Sequence, residues 1–279
     1  MPGVFDGFSN RIVAQGGFKA AFVTGAGLSE SRLGLPDVGI MGLEENLAGV
    51  RALVATTPLP LLADADTGYG NAVNVHFTVQ AFEAAGAAGI MLEDQVWPKR
   101  CGHMAGKEVI SADEMVGKIR AAVDARRDPD FVIKARTDAA GPLGIDEAIR
   151  RANLYADAGA DLLFADALLS KDDIAKFARG VRKPVSVNMG FAIRARATTP
   201  LLSPKELQEL GVAAVIWPRL LTAGAIVGMK NALAAAQETI ATGKADDRPD
   251  LLADFEELNA LLGLDEIAAL EARYRADRV

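Results

Sequence analysis

The run Gly89-Ile90-Met91-Leu92-Glu93-Asp94-Gln95-Val96-Trp97-Pro98-Lys99-Arg100-Cys101-Gly102-His103 passes from an apolar strand into a loop dense in reactive groups. Gly89–Leu92 has no polar alternation, as expected of a strand covered on both faces. Glu93 then stands at the strand's C-terminal end. Beyond it come the chain's only cysteine and one of its two histidines. A lone cysteine is most often a small buried hydrophobe. Cys101, set between cations and an imidazole, reads instead as a reactive thiol.

Working outward from this run, the same pattern recurs. Short apolar segments at Gly3–Phe5, Ala21–Thr24, Pro60–Ala63, Gly89–Glu93, Phe131–Ala135, Asp161–Ala165, Pro184–Asn188 and Ala213–Trp217 alternate with longer amphipathic stretches. Ala84-Ala85-Gly86, Ala158-Gly159-Ala160 and Leu210-Gly211 read as helix C-caps leading into strands. Eight such βα units close more naturally into a barrel than they spread as an open sheet. The fold class expected is therefore α/β, a (β/α)8 TIM barrel over 1–224. Residues 225–279 form a C-terminal helical extension of the same domain: an Ala-rich helix from Ala225 to Gly243, a polar break at Asp246–Asp250, then further amphipathic helices from Leu251.

Polar residues cluster at the strands' C-terminal tips: Thr24-Gly25-Ala26-Gly27, Asp64-Ala65-Asp66, Glu93-Asp94, Arg136-Thr137-Asp138, Asp166 and Asn188. That is the face on which this architecture carries its chemistry. Asp64 and Asp66 lie two residues apart, a spacing that puts both on one side of a strand and lets both approach one hard cation. Glu93 and Asp37 can add oxygen ligands or hold the ion's waters. An oxygen-only set favours Mg²⁺ or Mn²⁺ over Zn²⁺. Arg136, following a buried strand, needs an anion, supplied either by a protein carboxylate or by a substrate carboxylate. The Thr24–Gly27 turn either offers N–H groups and a hydroxyl to another carboxylate or is only a tight turn. His76, at a helix start, reads as a capping or packing residue.

Composition bounds the function classes. A net charge of −7 gives no footprint for nucleic acid, and a single cysteine excludes an internal disulfide. No apolar run reaches membrane length and the start lacks a signal-peptide pattern, so a cytoplasmic location away from membranes is expected.

Gly25-Ala26-Gly27, Gly34-Leu35-Pro36-Asp37, Asp64–Gly70, Glu93-Asp94-Gln95, Lys99-Arg100-Cys101-Gly102-His103 and Arg136-Thr137-Asp138 resemble the isocitrate lyase/phosphoenolpyruvate mutase superfamily. The likeness runs from Pro2 to about Pro218 and resumes at Phe255-Glu256-Glu257-Leu258 and Glu271-Ala272-Arg273-Tyr274. The Lys-Arg-Cys-Gly-His run resembles the carbon–carbon lyases of that family, of the methylisocitrate and dimethylmalate lyase kind, rather than its phosphonate enzymes. The resemblance implies Mg²⁺ at Asp64 and Asp66, with Glu93 and Asp37 in its water shell. It implies Cys101 as catalytic acid with Lys99 and His103 beside it. Thr24, Gly25, Ala26, Gly102, Arg136, Asp166 and Asn188 would bind substrate, and the Cys101 loop would close over it. It further implies a homotetramer, a dimer of helix-swapped dimers.

The expected reaction is Mg²⁺-dependent retro-aldol cleavage of a 2-hydroxy di- or tricarboxylate to an α-keto acid and a second carboxylate. A metal-bound water, Tyr69 or His103 would serve as base. The rivals are hydrolysis or decarboxylation of oxaloacetate, phosphonopyruvate processing, and a non-catalytic dicarboxylate-binding barrel. Two departures from the family pattern fall on the substrate side. In Asn188-Met189-Gly190-Phe191-Ala192-Ile193-Arg194-Ala195-Arg196, an apolar Phe191 stands near where the lyases carry a Glu, and two arginines follow. Asp166 stands where a Glu is usual.

Overall fold

The computed structural model describes residues 1–102, 104, 106–196 and 199–275. Its strands are β1 Gly3–Val4, β2 Ala21–Val23, β3 Leu61–Asp64, β4 Gly89–Glu93, β5 Val132–Thr137, β6 Leu162–Ala165, β7 Ser186–Asn188 and β8 Ala214–Ile216. Each lies within two residues of its expected bounds. The first six pair in parallel in chain order, and β7 pairs with β8. Two parallel bridges close the ring: Leu163 with Val185 joins β6 to β7, and Pro2 with Trp217 joins β8 to β1. At that last seam the Gly3 N–H donates to the Trp217 carbonyl at 3.0 Å. The result is the closed barrel that eight βα units predict.

Side-chain alternation sorts the strand residues into two layers. Val23, Ala63, Ile90, Leu92, Ile133, Ala135, Leu163 and Val187 belong to the large core between sheet and helices. Phe22, Leu62, Met91, Phe164 and Ile216 form a second cluster inside the barrel. Two residues beyond an interior position, the same face carries a polar group: Thr24 after Phe22, Asp64 after Leu62, Glu93 after Met91, Asp166 after Phe164. Period two thus delivers the pocket from apolar strands without a separate instruction for each group.

The helices between strands start at side-chain caps. Asn71 accepts from the N–H groups of Val73 and Asn74 ahead of Ala72–Ala84. Ser111 caps Ala112–Ala125, and Ser203 caps Pro204–Glu209 with proline in the first turn. His76 is not a cap. It lies inside the first of these helices, 3.1 Å from Gln80 and edge-on to Phe77.

By contact the chain divides into two compact units, Met1–Leu221 and Thr222–Val279. The second holds most of the helix Leu220–Thr242 together with Phe255–Leu262 and Leu264–Tyr274. Leu233, Ile240, Leu252, Phe255, Ile267 and Tyr274 are exposed along it. Among the described residues no helix is long and apolar enough to cross a membrane.

One interior residue breaks the apolar rule. Lys134, on β5, is fully buried and its ammonium has no hydrogen-bond partner. It lies 4.5 Å from the Phe164 ring centroid and 5.5 Å from that of Phe22. Those ring faces compensate only part of the lost hydration. Burial, then the nearby Arg136, push its pKa down to about 7. Between that value and the ordinary lysine range the unfolded chain binds a proton that the folded chain does not, so stability rises with pH across this window. The full penalty applies below it. Lys134→Met is expected to raise stability by about 1–3 kcal/mol at pH 7, the cost of an unpaired buried polar group. Its advantage should shrink as the pH climbs toward 10. Denaturant melts of both proteins at pH 7 and pH 9.5 check this, and an advantage that does not shrink contradicts it.

Candidate active site

A cavity at the C-terminal mouth of the barrel is lined by residues that include Thr24, Ala26, Asp37, Asp64, Cys101, Gly102, Arg136, Asp166, Asn188, Arg196 and Arg219. The expected thiol and the expected acidic residues therefore share one space. Asp66 and Glu93 are buried beside it. His103 lies outside the described residues.

The two aspartates meet by a different route from the one their spacing suggested. β3 ends at Asp64, and Asp66 adopts the left-handed backbone, φ +48°. Its N–H folds back to donate to Asp64 Oδ1 at 3.1 Å. Asp is one of the few residues that tolerates this conformation readily. Asp66 is thus turned against Asp64 by a tight bend and not by strand alternation. Asn46 holds the bend, donating to the Asp64 carbonyl at 2.7 Å and to the Tyr69 hydroxyl at 2.6 Å.

The acidic group is poorly hydrated and short of donors. Burial, with Asp66 beside it, pushes the Asp64 carboxyl up to about 6. Asp66 is also raised by burial, and Glu93 is pushed well up by burial despite Arg136. Asp66 Oδ1 and both Glu93 carboxylate oxygens have no hydrogen-bond partner. Lys99, almost wholly buried, reaches into the group, ion-paired to Asp37 and 2.8 Å from Asp66 Oδ1. That second approach brings opposite charges together without the alignment of a hydrogen bond. Against the penalty of burial, Asp66 and Asp37 hold the Lys99 ammonium well above its ordinary value. Lys99 therefore serves the carboxylates as a cation.

An all-oxygen, buried, donor-poor set of this kind fits a hard divalent ion. As arranged here, no three Asp, Glu, His or Cys side chains among the described residues converge as a ligand cluster. Lys99 stands in the position of positive charge.

Arg136 extends the network to the other side. Its Nε and Nη2 donate to Asp138 at 2.7 and 3.0 Å, Nη2 also to Asp166 at 3.2 Å, and Nη1 lies 3.2 Å from Glu93. Lys107 pairs with Asp138 at 2.7 Å. Of the two partners expected for Arg136, protein carboxylates occupy the guanidinium. Asp94 and Thr137, one position out of phase with Glu93 and Arg136, point away from the mouth. Asp94 accepts from the Asp138 N–H at 2.8 Å, Thr137 at 2.8 Å, Tyr155 at 2.7 Å and Arg151 at 3.1 Å. Its tip position gave it a place in the pocket, but alternation makes it a buried brace that ties β4 to β5.

The Thr24–Gly27 segment is the start of a short helix, Gly25–Leu28. The Thr24 hydroxyl accepts from the Gly27 N–H at 3.2 Å, so part of its capacity is used in capping. Tyr69 is unsuited to the role of base. Burial and then Asp66 push its phenol well above the ordinary value, and it stays protonated.

Cys101 is half-buried in the loop that follows β4. The loop's base is a short antiparallel pairing of Gln95 with Val109. The Gln95 side chain brackets Arg100, accepting from its N–H at 3.0 Å and donating to its carbonyl at 2.9 Å. Arg219 Nη2 lies 3.7 Å from Cys101 Sγ, and its Nη1 pairs with Glu30. Arg219 and Glu30 are site residues that the sequence reading passed over. Arg219 was findable, since it follows β8 at the same tip as the other groups. Glu30 had no local signal.

Matching the whole barrel, the family model for phosphoenolpyruvate phosphomutase covers residues 1–237. The chain belongs to that family, and it is an enzyme of the carbon–carbon lyase kind. It is 42% identical to 2,3-dimethylmalate lyase of Eubacterium barkeri over 99% of this chain and 93% of that protein. Among solved structures, oxaloacetate acetylhydrolase bound to 3,3-difluorooxalacetate matches with TM-score 0.90 and 33% identity, covering 100% of this chain and 92% of the other. Phosphonopyruvate hydrolase bound to oxalate and Mg²⁺ matches with TM-score 0.86 and 31% identity, over 98% and 93% of the two chains.

With the loop seated, Gly102 lies so near Asp166 that a Cβ would overlap its carboxylate and come within 2.6 Å of Arg136 Nη2. Gly102→Ala should block seating. Turnover is expected to fall at least ~100-fold, the scale set by small misplacements of reacting groups. The melting temperature should stay near wild type because the loop lies outside the core. Ordinary turnover by this variant would show that the loop need not close onto Asp166.

Proposed function

We propose that the protein cleaves the carbon–carbon bond beside the hydroxyl-bearing carbon of a 2-hydroxy di- or tricarboxylate, of the 2,3-dimethylmalate or 2-methylisocitrate type. The products are an α-keto acid of the pyruvate type and a second carboxylate. One observation carries the reading: Cys101 lines the same cavity as Asp64, Asp37 and Asn188. A proton donor and an acidic, metal-suited group in one closed space are what retro-aldol cleavage asks for.

Asp64 and Asp66 would hold Mg²⁺ or Mn²⁺, with Glu93 and Asp37 ordering its waters. Bound there, the ion would supply electrophilic stabilisation of the oxygens on the first two substrate carbons. Loss of the 2-hydroxyl proton drives the bond's electron pair onto the departing fragment as an enediolate. The Cys101 S–H protonates that fragment's carbon, and the sulfur is reprotonated from solvent when the loop opens. Asn188 has a buried amide oxygen with no donor and can receive the substrate hydroxyl. With Tyr69 held protonated, the base is left to a water or to His103. The seated loop excludes water that would otherwise quench the carbanion.

Cys101→Ala is expected to lower turnover by ~10²–10⁴-fold, the usual contribution of a general acid, while sparing fold and metal affinity. EDTA should abolish activity and Mg²⁺ or Mn²⁺ restore it. Ordinary turnover by the variant would remove the thiol from the chemistry, and full activity in chelator would remove the metal.

A second reading is hydrolysis of oxaloacetate, favoured by the similarity to oxaloacetate acetylhydrolase. Product analysis separates the two, since hydrolysis yields oxalate and acetate from oxaloacetate whereas cleavage yields a keto acid from a hydroxy diacid.

We also propose a tetramer of paired subunits that exchange the C-terminal helices. The apolar residues exposed on Phe255–Leu262 and Leu264–Tyr274 support it, because unpartnered helices of this length are marginal in water. Sedimentation should give four chains at micromolar concentration, and a monomer would refute the exchange.

A further inference from the structure

Resting on the carboxylate-cleaving reading above, we propose that Arg196, seconded by Arg219, is the subsite for the substrate's distal carboxylate and thereby sets preference for short dicarboxylates. Three arginines line the cavity, and they are not equivalent. Arg136 is already paired with Glu93, Asp138 and Asp166. Arg219 is anchored through Nη1 by Glu30 and turns Nη2 toward Cys101. Arg196 differs from both in what surrounds it. Its guanidinium carbon lies 5.6 Å from the Phe191 ring centroid, its Nη2 is shielded from solvent, and that nitrogen has no hydrogen-bond partner.

The loop is built around this side chain. Gly190 takes the left-handed conformation, φ +54°, and a Cβ there would overlap the Arg196 guanidinium. Phe191, the apolar residue at the β7 tip, supplies the stacking face. The backbone at Arg196 forms an isolated antiparallel bridge with Thr199. A planar guanidinium with an unmatched donor, set in a cavity beside a reactive thiol, is suited to forked recognition of a carboxylate. Asp166 lines the same cavity and is itself bonded to Arg136. A substrate reaching from the acidic group past Cys101 would place its far end against Arg196. Only a molecule with a second carboxylate a few atoms from the first can satisfy both ends.

Malate and lactate share the 2-hydroxy-acid end and differ in the distal carboxylate. Isothermal titration of the Mg²⁺-loaded protein with each enantiomer of both acids isolates that group. Wild type is expected to bind malate at least about tenfold more tightly than lactate, as a charge-assisted pair would give. Arg196→Gln should erase most of that ratio while leaving lactate affinity unchanged, and Arg196→Lys should retain part of it. Circular dichroism checks that both variants fold. A wild-type ratio retained in Arg196→Gln would overturn the subsite and leave the cleavage reading standing. Wild type binding malate no better than lactate would likewise overturn it. Failure to bind either acid would bring down the carboxylate reading itself.

Discussion

The mouth of this barrel depends on one guanidinium. Arg136 ties Glu93 on β4 to Asp138 just beyond β5 and Asp166 just beyond β6, all of them buried. Without it, neighbouring carboxylates would face one another in a medium that cannot screen them. A buried pair broken on one side leaves an uncompensated charge costing about 3–5 kcal/mol, and here three acids share the partner. Lys99 does the same for Asp37 and Asp66 on the opposite flank. These buried acids can coexist only because the cations are fixed among them.

That arrangement also divides labour among the arginines. Arg136 is paired with three protein carboxylates while still lining the cavity. Recognition of a mobile anion falls to one that keeps an unmatched donor, Nη2 of Arg196. Arg196 meets that description because its charge is positioned by stacking on Phe191 and by the absence of a side chain at Gly190. The β7 loop, where the chain departs from the family's pattern, is therefore where substrate choice is expected to lie. Relatives with the same barrel carry names that differ in chemistry, from 2,3-dimethylmalate lyase to oxaloacetate acetylhydrolase. Fold alone does not choose among such activities.

Much of the architecture was legible beforehand. Eight apolar runs between Ala-rich helical stretches fixed strand number, order and direction, because a parallel strand covered on both faces has a plain signature in its residues. The tip rule brought Thr24, Asp64, Asp166 and Asn188 to one cavity, with Glu93 paired to the Arg136 that lines it. It failed for Asp94, which sits one residue past a tip and so faces the helices, bonded to Thr137, Arg151 and Tyr155. It also stopped short at β8 and omitted Arg219. Asp66 was brought beside Asp64 for the wrong reason, since the bend rather than the pleat unites them.

The residues by themselves determined the barrel, the family, and a thiol loop following an acidic strand tip. These rest on local periodicity and on contiguous motifs, both of which a linear chain displays. Which charges pair was decided only in three dimensions. Arg136 with Asp166, Lys99 with Asp37, Arg219 with Glu30 and Arg196 over Phe191 are settled by barrel closure and by how far each side chain reaches. Electrostatic partnership depends on distance through space and on exclusion of water, and neither has a counterpart in sequence order.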